Sequence, residues 1–152
     1  KTTLDQTGKQ DESKDGMDIA LCVINTKDQS CEYSGAYIPC YIIKQTEDTP
    51  EVREIKADRM PVGFFHGKEK PFSNHDFKLQ KGDLIYLTSD GFVDQIGGEN
   101  DKKFKRTNFK NLLPGICDQS MHEQREILDK KISKWMSGYP QTDDILVMGI
   151  KI

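Results

Sequence analysis

Two short acidic segments of this chain carry residue types that bind hard divalent cations. Ser89-Asp90-Gly91 follows an apolar, β-rich run at residues 84–87, and Asp143-Asp144 directly precedes a similar run at residues 145–148. A carboxylate held at the end of a rigid strand is a good ligand for such a cation. If the fold brings Asp90 and Asp143 together, the sequence predicts half of a Mg²⁺ or Mn²⁺ site.

Each acidic segment also has a simpler interpretation. Ser-Asp-Gly after a strand is an ordinary turn signal, because Asp and Gly both favour turns. Two adjacent acids before a strand could be an exposed β-edge. Against this, burying an unpaired Asp is costly, and the flanking residues are strongly apolar in both places. Both interpretations stay open on the residues alone.

Other reactive residue types form no pattern that indicates a nucleophile. The three histidines are scattered in polar neighbourhoods, which is typical of surface histidines. Gly97-Gly98-Glu99 lacks the lysine and the spacing of a phosphate-binding loop, so a flexible turn is predicted. The charged run at residues 101–106 is either a solvated loop or a patch that attracts an anionic phosphorylated partner. The four cysteines have no metal-finger spacing and are predicted to be buried, reduced thiols.

Composition bounds the class of protein. The chain has 152 residues, a net charge of −3, 35% hydrophobic residues and 31% charged residues. This predicts one domain with a core of its own and a charged surface, and it argues against nucleic-acid binding. No apolar run approaches the length of a membrane span, so we expect no membrane contact and a cytoplasmic location. The first residue is Lys, which suggests a piece of a longer protein. The polar residues 1–15 are predicted to be either a disordered lead-in or a remnant of the upstream part of the domain.

Hydrophobic patterns predict strands first and helices later. Residues 17–25 are apolar on both faces and predict a central buried strand, and 52–57 predict an edge strand. Residues 108–117 and a segment after the capping-box pattern Ser120-Met121-His122-Glu123 predict helices. Residues 144–152 predict a last central strand. The fold class is therefore α+β, with helices on one face of an antiparallel sheet.

Several motifs occur together in one order along the chain. They are Tyr33-Ser34-Gly35-Ala36, Met60-Pro61-Val62-Gly63, Lys81-Gly82-Asp83 running into Ser89-Asp90-Gly91, and Asp143-Asp144-Ile145. In this order the chain resembles the metal-dependent protein serine/threonine phosphatases (the PPM or protein phosphatase 2C superfamily), in their SpoIIE-like bacterial branch. The resemblance covers roughly residues 14–152, and residues 16–152 are interpreted as the C-terminal portion of such a domain.

The resemblance implies an αββα fold, a largely antiparallel β-sandwich flanked by helices, with two Mn²⁺ or Mg²⁺ ions in the complete domain. It implies that Asp90 and Asp143 are metal ligands and that Gly91 and Asp144 support them. The reaction it implies is hydrolysis of phosphoserine or phosphothreonine by a hydroxide that the two metals activate. No covalent phospho-enzyme is needed, so no residue beyond the metal ligands is assigned a catalytic role.

The chain also departs from the family pattern. A Gly-Asp motif on an early strand and an Asp-x-x-Gly-His-Gly motif are both missing, so the domain is expected to be incomplete at its N-terminus and inactive on its own. An open sheet edge predicts pairing with a second copy. By analogy the protein would be the output module of an upstream sensor, acting on a phosphorylated regulatory protein such as an anti-sigma-factor antagonist. The alternative is a non-catalytic interaction or sensor module that keeps the phosphatase-like sandwich.

Overall fold

The computed structural model describes residues 16–46, 49–67 and 70–152. The lead-in predicted for residues 1–15 lies outside them. The described residues form two compact units, one of residues 16–40 with 55–79 and the other of residues 41–54 with 80–152. The strands are β1 Gly16–Met17, β2 Ile19–Asn25, β3 Ser30–Ala36, β4 Cys40–Lys44, β5 Glu51–Ile55, β6 Val62–Gly63, β7 His75–Lys78, β8 Leu84–Thr88, β9 Ile96–Gly97, β10 Lys102–Lys103 and β11 Val147–Lys151. The helices are α1 Asp90–Asp94, α2 Arg106–Leu112 and α3 Met121–Met136, with a 3-10 turn at Leu113–Gly115.

The first unit is built on a three-stranded antiparallel sheet in the order β2-β3-β7. Cys22 pairs with Tyr33 across the first ladder, so one face of the sheet carries these two side chains together with Cys31. Tyr33 and Cys31 are buried, whereas Cys22 is half-buried. The four cysteines of the chain are free thiols, as the sequence predicted, although Cys22 is not fully buried.

The prediction that residues 17–25 form a central buried strand is wrong. Strand β2 pairs only with β3 among the described residues and lies at the edge of its sheet. Its outer face is open, with Ile19, Leu21 and Val23 exposed by 39%, 60% and 56%. Apolar residues on both faces predict that a strand is buried. They do not predict its position in the sheet, because that position depends on pairing with residues distant in sequence.

The second unit is built on a four-stranded sheet in the order β11-β8-β4-β5. Strand β5 is at an edge, as predicted. Strand β11 is antiparallel to β8 and is also an edge strand, so the central position predicted for residues 144–152 is wrong. The strand begins at Val147 rather than at residue 144, because the Leu146 N–H donates to the Ser89 hydroxyl instead of to a backbone carbonyl of β8.

Helices α2 and α3 cover the hydrophobic core of this second unit. Phe92, Phe109 and Leu113 are buried there with Leu128 and Ile132 of α3. The capping box predicted at the start of α3 is present, because the Ser120 hydroxyl accepts from the Glu123 N–H and the Glu123 carboxylate accepts from the Ser120 N–H. Within the residues described, no helix is long and apolar enough to cross a bilayer. The predicted α+β class is confirmed: eight strands come first, helix α1 and the β9–β10 hairpin follow, and helices α2 and α3 precede the last strand.

Candidate metal centre

Asp90 lies just beyond the end of β8, a strand that is largely buried in the second unit. The first three residues of β8, Leu84 to Tyr86, are almost completely inaccessible to solvent, and this anchors the strand in the core. Ser89 then adopts an extended conformation and begins α1, whose first residue is Asp90. The carboxylate of Asp90 is exposed and has no hydrogen-bond partner among the described residues, so it is available to a ligand.

Ser89 connects this strand end to the second acidic segment. Its hydroxyl donates to the Asp144 carbonyl at 2.7 Å and accepts from the Leu146 N–H at 2.9 Å. Its own N–H donates to the Leu146 carbonyl at 3.0 Å. Three hydrogen bonds from one residue therefore fix the backbone after Asp143 against the start of α1.

The absence of a side chain at Gly91 permits an even closer approach. A Cβ placed on Gly91 would lie 2.3 Å from the carbonyl oxygen of Asp144 and 3.2 Å from the carbonyl carbon of Asp143. Real Cβ atoms do not come this close to backbone, so glycine is required for the observed packing. The structure therefore brings together the backbones of the two segments that carry Asp90, Asp143 and Asp144.

Asp143 is held by its own local turn. One of its carboxylate oxygens accepts from the Asp144 N–H at 2.7 Å, and the Gln141 side-chain amide donates to the Asp143 carbonyl at 2.7 Å. The other carboxylate oxygen has no partner among the described residues. Asp143 and Asp144 are both exposed.

Gln95 positions the loop that leads to Asp143, and the sequence analysis missed it. Its side chain is fully buried and its amide donates to the carbonyls of Ile96 and Pro140, both at 3.0 Å. Its side-chain oxygen accepts from the Thr142 N–H at 3.2 Å. A glutamine just after a short helix carries no distinctive signal, because the two partners that position the loop, Pro140 and Thr142, lie more than forty residues away in sequence.

The residue types at this place suit a hard cation. Carboxylate oxygens are the ligands that Mg²⁺ and Mn²⁺ prefer. Within residues 16–46, 49–67 and 70–152, however, no three His, Cys, Asp or Glu side chains come close enough to form a complete metal site. Asp90 and Asp143 therefore fit part of a ligand set, and their assignment as ligands stays a prediction.

Comparisons with known proteins identify the family. The family described as Stage II sporulation protein E (SpoIIE) matches residues 2–152. No curated protein sequence matches the chain. Among solved structures, the SiaA-PP2C domain of Pseudomonas aeruginosa is 27% identical with a TM-score of 0.78, covering 89% of this chain and 51% of that one. The phosphatase domain of SpoIIE from Bacillus subtilis, presoaked with Mn, is 20% identical with a TM-score of 0.64, covering 89% and 56%.

These likenesses confirm the fold implied by the motifs in the sequence. The similarity to the Bacillus domain shows the fold alone, whereas the family match extends over nearly the whole chain. The chain spans about half the length of the solved structures that it resembles. It belongs to the SpoIIE family and has the PP2C-type phosphatase fold.

Proposed function

We propose that this chain is part of a metal-dependent protein serine/threonine phosphatase and that Asp90 and Asp143 bind Mn²⁺ or Mg²⁺. The observation that supports this most is the contact of Gly91 with the backbone of residues 143 and 144. It places two acidic segments side by side although they are more than fifty residues apart in sequence. If the two acidic segments were unrelated surface turns, there would be no reason for their backbones to pack this closely.

The chain's own residues would orient the ligands rather than carry out bond cleavage. Ser89 and Gly91 hold the segment of Asp143 and Asp144 against the start of α1. Gln95 fixes the loop just before Asp143. Bound metal ions would supply activation of water and neutralisation of charge on the phosphoryl oxygens. Two carboxylates fall short of the roughly six oxygen ligands of such ions, so we propose catalysis for the complete domain and little or none for this chain alone.

The biological setting is proposed by analogy with the family. We propose a cytoplasmic output module that is controlled by an upstream sensor domain. Its substrate would be phosphoserine or phosphothreonine on a regulatory protein, such as an anti-sigma-factor antagonist.

Self-association is a separate proposal. The exposed outer face of β2 carries Ile19, Leu21 and Val23 at an open sheet edge. Such an edge favours pairing with a second copy. Size-exclusion chromatography with light scattering should show a dimer that dissociates when Leu21 is changed to Lys. A strictly monomeric chain at high concentration would exclude it.

The decisive experiment measures phosphate release from a phosphoserine peptide by the full-length protein with Mn²⁺. Asp90→Asn and Asp143→Asn should each lower turnover at least about 100-fold, since even residues that only support metal ligands cost 10–100-fold. Asp129→Asn, an exposed acid on α3, is the matched control and should keep full activity. Circular dichroism checks that each variant is folded.

Two results would contradict the proposal in different ways. Absence of Mn²⁺-dependent release by the wild-type protein would favour the non-catalytic module. Full turnover by both Asp90→Asn and Asp143→Asn would leave the activity in place but refute the assignment of the ligands.

A further inference from the structure

A cavity of about 600 Å³ lies between the β9–β10 hairpin and the last two turns of α3. We call it the basic groove and define it by Lys102 on the hairpin and by Lys131, Lys134 and Trp135 on the helix, with the loop of residues 97–100 opposite. All of these residues belong to the second compact unit. They take no part in the candidate metal centre.

The walls of the basic groove are fixed against each other. The Gly98 N–H donates to the Trp135 carbonyl at 2.9 Å, and the Trp135 indole N–H donates to the Gln95 carbonyl at 3.1 Å. A Cβ on Gly97 would lie 2.0 Å from the Trp135 carbonyl oxygen, so the hairpin packs directly on the helix backbone. The groove is therefore formed before any ligand binds.

The lysines next to the groove lysines in sequence form ion pairs, whereas the groove lysines form none with the described residues. Lys103 pairs with Asp94 at 2.7 Å, and Lys130 pairs with Glu126 at 3.4 Å. Lys102, Lys131 and Lys134 have no carboxylate within 4.0 Å in the part of the chain that the structure describes; one acidic side chain, Glu99, lines the groove beside them. With three lysines and one glutamate in its lining, the groove carries a net charge of +2.

The dipole of α3 explains the position of only one of these lysines. Lysines in the last turn of a helix are stabilised by the negative end of its dipole, and this applies to Lys134. It does not apply to Lys102, which comes from the hairpin and adds its charge from the opposite wall. Two elements therefore supply the same sign of charge to one cavity beside a partly exposed indole.

The arrangement favours carboxylates over phosphate as the ligand groups. Lysine binds phosphate as well as carboxylate, but phosphate sites in proteins generally add free backbone N–H groups or the start of a helix. Here the helix contributes its C-terminal end, and the Gly98 N–H already donates to Trp135. A tryptophan surrounded by exposed cationic side chains is instead typical of a protein interface, where an aromatic anchor is surrounded by a polar rim.

We propose that the basic groove binds an acidic segment of a partner protein, with Asp or Glu side chains paired to the three lysines and an apolar residue against Trp135. The proposal does not depend on phosphatase activity. It assigns to this chain a docking site that is separate from the metal centre.

Trp135 provides the readout, because it is the only tryptophan in the chain. A hexaglutamate peptide is titrated into the 152-residue chain at low ionic strength while Trp135 emission is recorded. We expect a saturable change that weakens as salt is added, since screening acts strongly on exposed charges. Lys131→Glu with Lys134→Glu should weaken binding at least about fivefold, because two attractive pairs become repulsive.

The matched control is Lys27→Glu with Lys130→Glu, which changes the net charge equally but leaves the groove intact. It should bind the peptide as the wild-type chain does, and circular dichroism should show both double variants folded. Equal weakening in the two double variants would mean that net charge alone attracts the peptide, and it would overturn the proposal. Two further results would also overturn it: no saturable change, or displacement of the peptide by pyrophosphate well below the concentration at which sodium chloride of equal ionic strength displaces it.

Discussion

Gly91→Ala tests the close approach on which the candidate metal centre depends. The added Cβ would lie 2.3 Å from the Asp144 carbonyl oxygen, whereas ordinary contacts begin at 3.4 Å, so one backbone must move by about 1.1 Å. Gly91 has no positive φ, so the alanine itself meets no conformational strain. The variant therefore isolates the steric effect on the segment of Asp143 and Asp144.

The magnitude follows from the cost of overpacking. Inserting a methyl group into a well-packed region costs about 1–3 kcal/mol. The better helix propensity of alanine offsets up to about 1 kcal/mol of this. Because the added Cβ would meet backbone rather than the end of a flexible side chain, the upper part of that cost applies, about 2–3 kcal/mol. We therefore expect a net loss of about 1–3 kcal/mol in the free energy of unfolding, which for a chain of this length lowers Tm by roughly 2–12 °C.

Urea unfolding followed by circular dichroism measures this loss. Gly115→Ala is the matched control, because no atom lies within 4 Å of its added Cβ and its φ is not positive. It should leave the unfolding midpoint unchanged or slightly raised. If Gly91→Ala unfolds at the same urea concentration as wild type and as the control, the two acidic segments do not pack as described and the reasoning is refuted.

Two further predictions concern residues that position loops. Gln95→Leu should lower the free energy of unfolding by about 1–3 kcal/mol, because it leaves buried partners such as the Pro140 carbonyl and Thr142 N–H unpaired; hydrogen exchange at Thr142 should accelerate, whereas the exposed Gln119→Leu should leave it unchanged. The Lys70 ammonium, followed by the Ser73 N–H, lowers the pKa of the buried Asp58 carboxyl. The ionised Asp58 carboxylate therefore contributes its full stabilisation above the unfolded-state pKa of about 3.9, and this stabilisation is lost as pH falls through the lower folded-state pKa. Urea midpoints measured between about pH 2.5 and 6 should fall less steeply at the acidic end in Asp58→Asn than in wild type, and identical profiles would contradict the role of Asp58.

Local patterns predicted the elements that position the site. The apolar run at 84–87 became β8, and Asp90 follows it at the start of α1. The capping box at Ser120 marks the start of α3, and the helix predicted after it buries Gln124, Leu128 and Ile132. These features depend on neighbours within a few residues, so spacing along the sequence is sufficient to find them.

Features set by long-range pairing were not predictable in the same way. The edge positions of β2 and β11 depend on which strands lie beside them, and an apolar pattern does not record this. Gln95 makes its contacts across more than forty residues of sequence. Asp83 was predicted only as a turn residue, yet it is buried and forms an ion pair with Lys44, 39 positions away.

The convergence of Asp90 and Asp143 was a hypothesis from strand ends, and only tertiary structure could supply its physical basis. That basis is the backbone contact at Gly91 together with the hydrogen bonds of Ser89. Neither interaction involves the carboxylates themselves, so no count of acidic residues would have revealed it. The small residues Ser89 and Gly91 on either side of Asp90 were the better indication that the two segments meet.

The central claim is that Asp90 and Asp143 bind the same divalent metal ion. Titration of Mn²⁺ into the ¹⁵N-labelled 152-residue chain tests this claim most directly. Amide signals near bound Mn²⁺ broaden, and Mg²⁺ serves as the diamagnetic reference. We predict that broadening is greatest at Asp90, Gly91, Asp143 and Asp144, and that Asp90→Asn combined with Asp143→Asn abolishes it. Broadening centred on another part of the chain, or unchanged in the double variant, would contradict the account.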